Sequence, residues 1–456
     1  MVKGLKMYRS FGVDALVDSE TEQDSPLCEH GPTLLFERFT VGKGSRKYYA
    51  CSACRDRKEC DFFQWADEKL TKGKLLRQKE VKKILSKKRK SPDVIKENDE
   101  WCIQCESSVT IQNKDEHREH ETKILSLSDV ESPSHLLTAK ENKKYNAQYF
   151  FDQETIKFLS TTISRLGYKN ILCIGTPRLF EVLRLKSDIS VFLLDIDKRL
   201  HQFYSSNSFL QYNMFNNFFF EKNGVEKCKG FLSQKSPIET LIIVDPPFGG
   251  LVNILAKTLK SLWKMAGSEE VLPTILVFPY FLESHVNKNI GDFTMLDYKV
   301  SYSNHPHYTN NSKNPRGSPV RVFTNIPADR VALPQEGYRF CKLCQRYVYK
   351  GNRHCKICKL CTSKDGRTYV HCKTCKKCVK PGRVHCDTCG SCEPANHECG
   401  REKIGCHICG DLNHKRRDCP QKKMESRLSS HGKRSITEDT TRNEPVKKKK
   451  KRKTLV

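Results

Sequence analysis

The spacing of cysteines between residues 341 and 399 constrains this chain more than any other feature. The pattern His-Cys-x2-Cys-x2-Cys occurs three times, beginning at His354, His371 and His385. Repeats this short cannot each enclose an apolar core, and they read as nested metal sites. Counting ligands yields one consistent partition. Cys341 and Cys344 are completed by His354 and Cys361, Cys355 and Cys358 by His371 and Cys378, and Cys372 and Cys375 by His385 and Cys392. Each closing pair is His-x6-Cys, with the next Cys-x2-Cys nested inside it. Cys386 and Cys389 then take His397 and Cys399, whose spacing differs. Three thiolates and one imidazole per site suit a closed tetrahedral zinc.

Further ligand sets flank this array. Cys406-x2-Cys409-x4-His414-x4-Cys419 has the spacing of a zinc knuckle, and Gly405, Gly410 and Lys415-Arg416-Arg417 suit one that binds single-stranded RNA. Near the N-terminus stand Cys28-x-His30, Cys51 and Cys60, with Cys54 able to replace Cys51 or Cys60. Cys102-x2-Cys105-x11-His117-x2-His120 follows, its His–His spacing one residue short of the usual two-Cys-two-His window. Seven zinc ions would use all but Cys54, Cys173 and Cys228 of the 23 cysteines. The chain has no signal-peptide pattern and no apolar run of membrane-spanning length, so a reducing compartment, thiolate ligands and no membrane partner are expected.

Charge narrows the partner. The net charge is +28, and residues 333–456 hold 32 Lys and Arg against 12 Asp and Glu, which places +20 of it there. Such asymmetry points to a polyanion, most simply nucleic acid. Fifteen Lys and Arg lie between Arg339 and Arg401, interleaved with the ligands. The run Pro445-Val446-Lys447 to Lys453 suits a nuclear or nucleolar targeting signal or a nonspecific RNA-binding arm. Lys87-Lys88-Arg89-Lys90 closes an earlier basic, helix-permissive stretch.

Between the cysteine-rich ends, residues 144–332 change character. A helical pattern from Thr155 to Leu166 precedes a strand at Asn170–Ile174, the turn Gly175-Thr176-Pro177-Arg178 and a second helix. A strand at Val191–Leu194 ends in Asp195-Ile196-Asp197, and further strands are expected near 228–232, 241–245, 274–280, 293–301 and 320–324. Strands alternating with helices predict an α/β domain with a parallel sheet. A glycine turn after one strand and an acid at the end of the next is a nucleotide-binding arrangement. Only Gly175 stands where a G-x-G would, which disfavours a pyrophosphate cofactor.

The run Leu241-Ile242-Ile243-Val244 then ends in Asp245-Pro246-Pro247-Phe248. A β-turn after a core strand is the plain reading. The chemical one is that the Asp245 carboxylate and Pro246 carbonyl face the two N–H groups of an exocyclic amine, while Phe248 stacks on the base. That holds the amine lone pair toward an electrophile. No general base is evident beside it; Asp245 orients the amine, and the proton leaves to water after transfer.

Residues 144–332 resemble the class I N6-adenine methyltransferases, and the fold class expected is α/β, a class I (Rossmann-like) domain flanked by small zinc modules. The resemblance implies S-adenosylmethionine as cofactor, with Gly175 and Arg178 on its methionine side and Asp195 on its ribose. It implies that Gln148, Tyr149, Phe150 and Phe151 close over the cofactor, that Asn213, Met214 and Phe215 sit near its adenine, and that Asp245, Pro246, Pro247 and Phe248 hold the target. Residues 26–68, ending in Cys60-Asp61-Phe62-Phe63-Gln64-Trp65-Ala66-Asp67, resemble the GRF-type zinc finger, a single-strand nucleic-acid binder. That pattern favours Cys28, His30, Cys51 and Cys60 as ligands, with the basic aromatic segment Gly42–Tyr49 toward the nucleic acid and Phe62 and Trp65 in a small core. Residues 338–400 resemble the cysteine-rich DHHC-type domain, but Tyr369-Val370-His371-Cys372 replaces the acyltransferase tetrad, which argues against palmitoyl transfer.

The whole order is a disordered tail (1–25), GRF finger (26–68), basic linker (69–100), two-Cys-two-His-like finger (101–121), linker (122–143), methyltransferase domain (144–332), nested array (338–400), knuckle (404–421) and basic disordered tail (422–456). It resembles a family of animal ribosomal-RNA adenine N6-methyltransferases over about residues 26–421. The resemblance implies methylation of one adenosine in large-subunit (28S) rRNA, by a monomer working with other RNA-processing proteins, in the nucleolus and nucleus with the cytoplasm as a further compartment. Three rivals share parts of the pattern: an inactive RNA-binding scaffold, a protein glutamine N-methyltransferase and a DNA methyltransferase.

Overall fold

A computed structural model describes residues 13–16, 25–40, 44–54, 60–86, 94–140, 148–267, 271–308, 317–399, 411 and 419. Most of these belong to one unit, residues 1–38 and 45–401; the second unit comprises 39–44 and 402–456. The knuckle residues Cys406, Cys409 and His414, both basic runs, the C-terminal tail 422–456 and residues 1–12 and 17–24 of the N-terminal one lie outside the described residues. Cys419 is described, and is buried.

The centre is an eight-stranded sheet of β1 (Asn170–Ile174), β2 (Ser190–Asp195), β3 (Phe209–Asn213), β4 (Phe218–Phe219), β5 (Thr240–Val244), β6 (Thr274–Pro279), β7 (Thr294–Lys299) and β8 (Val320–Thr324). Their order is β4-β3-β2-β1-β5-β6-β8-β7. Strands β3, β2, β1, β5 and β6 are parallel, while β4, β8 and β7 run antiparallel to their neighbours. The sheet is therefore mixed, not the parallel sheet that alternation alone suggests. Every residue of β1 and β5 is buried, as a parallel strand covered on both faces requires. Two apolar clusters lie on the two faces, one around Leu159, Leu179 and Phe180, the other around Leu255, Leu262 and Trp263.

Helix α1 spans Gln153–Leu166, capped by the Asp152 carboxylate, which accepts from Thr155 N, and ended by Gly167 at φ 80°. Helix α2 (Pro177–Arg184) starts on its proline, with Thr176 as the cap between it and Gly175. Residues 228–232, expected as a strand, instead belong to helix Gly224–Leu232, whose buried positions Gly224, Cys228, Phe231 and Leu232 follow helical spacing. Five residues, Cys228-Lys229-Gly230-Phe231-Leu232, are too few to separate the two periods. Strand β3 was missed because Gln211 and Asn213 interrupt its apolar pattern, although both are buried.

Three expected linkers or tails carry structure. Val13–Ala15 pairs with Leu34–Thr40 in the sheet of the first finger. Helix Lys72–Ser86 returns to that finger, where the Gln78 side chain bonds both N and O of Leu27. Residues 122–143 begin with strand Thr122–Ile124, which completes the second finger's sheet, and continue into helix Leu127–Glu131, which has a full capping box at Ser126 and Asp129. The second finger then packs on the catalytic domain, with Trp101 against Phe203 at 5.3 Å and Glu106 ion-paired to Arg199.

The nested array covers the edge strand β7, a location where unpaired backbone would otherwise invite association. Asp297 is buried there and accepts from Tyr349 N (2.9 Å) and Asn352 Nδ2 (2.8 Å). Tyr298 stacks on Tyr338, and Arg346 donates to the Met295 carbonyl.

Candidate active site and metal centres

The C-terminal ends of β3, β2, β1 and β5 open into one cavity of about 610 Å³. Asn213 and Met214, Asp195 to Asp197, Gly175, and Asp245 to Phe248 line it from successive strand ends. Gly175 has φ 67°, and a Cβ there would lie 3.0 Å from the Asp245 carbonyl oxygen and 3.2 Å from Met214 Cε. A glycine is thus required where the β1 turn passes closest to the β5 turn.

Asp245 sits between polar and apolar surroundings. Burial raises its pKa well above the carboxylate range, while the Tyr302 hydroxyl, donating to Oδ1 at 3.1 Å, pulls it down. Tyr302 is fully buried. Tyr149 stacks near Phe248 at 5.8 Å, and His305 lies 4.3 Å from Tyr149 and 3.9 Å from Tyr308. Burial holds His305 at about 4, so it is neutral near pH 7. The segments 148–152 and 301–305 are bound to each other through Ser303 N to Phe150 O, Asn304 Nδ2 to Gln148 O and a bridge between Phe151 and Tyr302. Nothing in the 301–308 sequence carries a motif, so Tyr302 and His305 could only be found in the fold.

At the end of β2 the two acids differ. Burial, reinforced by Asp197, raises Asp195 to about 6, and its Oδ1 accepts from Asp197 N at 2.8 Å. Asp197 is held down to about 2 against its burial by Arg199 and Lys140, at 2.5 and 3.0 Å. Gln148 Nε2 donates to Asp197 at 3.3 Å.

The candidate zinc ligands converge. In each of five sets the donor atoms lie within 4.8 Å of one another: Cys28, His30, Cys51, Cys60; Cys102, Cys105, His117, His120; Cys341, Cys344, His354, Cys361; Cys355, Cys358, His371, Cys378; and Cys372, Cys375, His385, Cys392. Bonds of about 2.3 Å to sulfur imply tetrahedral S–S edges of about 3.8 Å. Cys358–Cys378 and Cys375–Cys392 Sγ separations are 3.7 and 3.5 Å, so the sets fit zinc. In the fourth nested set, Cys386 and Cys399 Sγ are 3.5 Å apart, and His397 Nε2 is 3.4 Å from Cys389 and 3.2 Å from Cys399. Cys54, the spare thiol, is also close, with its Sγ 3.6 Å from His30 Nε2.

Residues 142–326 match the family described as probable N6-adenine methyltransferase, and residues 26–69 match the GRF zinc finger. Proteins named rRNA N(6)-adenosine-methyltransferase ZCCHC4 are similar along nearly the whole chain. The one from Bos taurus is 47% identical, covering 90% of this chain and 85% of its own length. Those from Xenopus tropicalis and Homo sapiens are 45% and 43% identical, covering 93% and 90% of this chain and 91% and 85% of their own lengths. The chain belongs to the ZCCHC4 family. It is an S-adenosylmethionine-dependent methyltransferase with zinc-binding modules.

Within this ZCCHC4 family member, four expected cofactor residues stand elsewhere or are otherwise engaged. Phe150 and Phe151 are buried behind the cavity wall and do not line it. Arg178 lies over the Phe150 ring at 4.7 Å and donates to Ser303 Oγ at 2.6 Å, which braces the 148–152 segment instead of facing the cavity. Asn213 reaches the cavity, but its Nδ2 donates to His30 O and Ser52 Oγ, both at 2.8 Å, and its Oδ1 accepts from Phe215 N. Its amide therefore has no donor left for an adenine. Gln148, Tyr149, Gly175, Asp195, Met214 and Asp245 do line the cavity.

Proposed function

We propose that this chain transfers a methyl group from S-adenosylmethionine to the exocyclic amine of one adenosine in large-subunit (28S) rRNA. The observation that carries the reading is the Asp245-Pro246 turn, which opens beneath Gly175 into a cavity walled by Tyr149 and Phe248. The cofactor supplies an electrophilic methyl on a sulfonium. Asp245 and the Pro246 carbonyl accept from the two N–H groups of the amine and keep its lone pair directed at that methyl. The Tyr302 hydroxyl donates to the carboxylate and opposes the rise that burial imposes on it, which favours its accepting form. Phe248 and Tyr149 stack on the flipped base, whose unpairing costs a few kcal/mol and least in a loop. Asp195 takes the ribose hydroxyls. His305, neutral and stacked, braces Tyr149 and adds no charge to the base pocket.

The basic metal modules are read as the RNA grip. In the first finger, Tyr48, Phe63 and Trp65 form a half-exposed aromatic patch with Arg46 4.0 Å above Trp65, a surface suited to stacked bases. In the array, Lys380 reaches Tyr280, which follows β6 beside the Asp245 turn. We read the enzyme as a nucleolar and nuclear monomer, also present in cytoplasm, which uses seven zincs and meets other RNA-processing proteins on its substrate.

The test is incubation with labelled S-adenosylmethionine and total rRNA, beside Asp245→Ala and beside a release-factor peptide, followed by digestion to nucleosides. N6-methyladenosine from the parent alone, in 28S rRNA, is the expected result. Label in the peptide, or none in rRNA from a zinc-loaded, cofactor-binding protein, would refute it.

A further inference from the structure

The cavity has two ends. Strand order β3-β2-β1-β5 spreads its floor over three strand spacings, about 14 Å at about 4.8 Å each. Asp245 and Phe248 mark one end. At the other, around Asn213 and Phe215, the catalytic domain does not make the wall alone: Glu29, His30, Ala53 and Cys54 of the first finger line the same cavity, joined by Ile84 and Leu85 from the helix that returns to it. With the reacting methyl at Asp245 and the ribose at Asp195, the purine of the cofactor extends toward this finger-walled end.

The junction is held by four side-chain hydrogen bonds from Asn213 and Asn216. The carbonyl of His30, a candidate zinc ligand, accepts from Asn213 Nδ2 (2.8 Å) and Asn216 Nδ2 (3.0 Å). Asn216 also donates to Pro32 O at 2.8 Å, and Asn213 to Ser52 Oγ, one residue after the candidate ligand Cys51. Asn213 is 1% and Ser52 5% exposed. Gly31 has φ 93°, and a Cβ there would meet the Phe218 ring at 2.6 Å, so the finger backbone lies directly on β4. Both asparagines bracket Met214 and Phe215, which line the cavity. A shift of the His30–Pro32 loop must therefore move the corner that forms the purine end.

We propose that the N-terminal zinc finger is a structural half of the cofactor site, with Asn213 and Asn216 as positioning residues that tie its metal centre to the purine pocket, so that zinc retention and cofactor affinity are coupled. Coupling between two binding events is reciprocal. The cofactor then slows zinc loss from this finger, and loosening the junction weakens the cofactor without removing zinc. The inference rests on the cofactor reading given above.

The test uses the full zinc-loaded chain with S-adenosylhomocysteine, which binds without turnover. N-ethylmaleimide labelling under a chelator is followed peptide by peptide by mass spectrometry. Cys28 and Cys60 are the reporters, because neither lines the cavity and neither can be shielded directly. Saturating S-adenosylhomocysteine should slow their labelling at least threefold while Cys372, in the array, is unchanged. Asn213→Ala, and the milder Ser52→Ala should the first not fold, should raise the dissociation constant by calorimetry at least threefold at unchanged zinc content. Binding with no protection of Cys28 and Cys60, or folded variants of parental affinity, overturns the coupling. No binding by the parent protein overturns the cofactor reading, and the coupling with it.

Discussion

Tyr302→Phe isolates what the Asp245 carboxylate contributes. The substitution removes one oxygen from a fully buried ring and leaves the ring's packing against Phe151 and Tyr149 in place. It also removes the hydroxyl that donates to Asp245 Oδ1 at 3.1 Å. A hydrogen bond to a charged group contributes about 1.5–3 kcal/mol, and about 1.4 kcal/mol corresponds to one pKa unit. Burial already raises Asp245, and this bond opposes the shift, so its loss moves the pKa further up. Only the ionised carboxylate accepts from the amine without restriction. The acid limb of the rate profile should therefore move to higher pH, with about a 10- to 100-fold loss on the acid side of the parent profile and recovery as pH rises. Single-turnover methyl transfer to rRNA across the pH range measures this, with cofactor affinity by calorimetry as the control for folding. A uniform loss at every pH, or a limb that moves down, would show that Tyr302 acts by packing alone and that Asp245 is not the titrating acceptor.

Other perturbations test other parts of the molecule. Gly175→Ala puts a Cβ 3.0 Å from the Asp245 carbonyl at φ 67°, and should weaken S-adenosylhomocysteine binding at least tenfold by calorimetry while lowering the thermal midpoint. Cys355→Ser should remove one zinc by elemental analysis and reduce RNA retention, yet leave cofactor affinity unchanged, because its site adjoins the array and not the cavity. Glu181 is buried against Ser134 and Tyr204, and burial raises its pKa from 4.5 to about 7. A raised carboxylate favours folding below about 4.5 and loses that contribution as pH rises through about 7, so Glu181→Gln should flatten denaturation midpoints over this range, by up to about 3 kcal/mol.

Much of the site was legible because its chemistry is local in the chain. Cys-x2-Cys pairs and His-x6-Cys pairs are short enough that spacing alone limits which thiols can meet, and the structure brings together the quartets that spacing pairs. The same holds for β5 and its Asp-Pro-Pro-Phe turn, and for Gly175 after β1, since apolar β-branched runs and prolines act on their own neighbours. Residues 122–143 misled because polar sequence conceals short elements that gain stability only from the domain they pack on.

What the sequence by itself determined, then, is the five quartets of metal ligands that meet, most of the core strands and the Asp-Pro-Pro-Phe turn at the end of β5. Tertiary structure alone decided that β8 runs against β6, with β7 reversing again at the sheet's edge, that Arg178 and Phe150 brace the 148–152 segment instead of lining the cavity, and that Asn213 commits its amide to the first finger. It also brought Tyr302 to Asp245 across 57 residues, and His30 to Asn213 across 183. The physical reason is the same in each case. A metal knuckle or a strand turn is closed by contacts a few residues apart, whereas these side chains take their roles from partners that only the packing of the whole sheet and finger brings within hydrogen-bond reach.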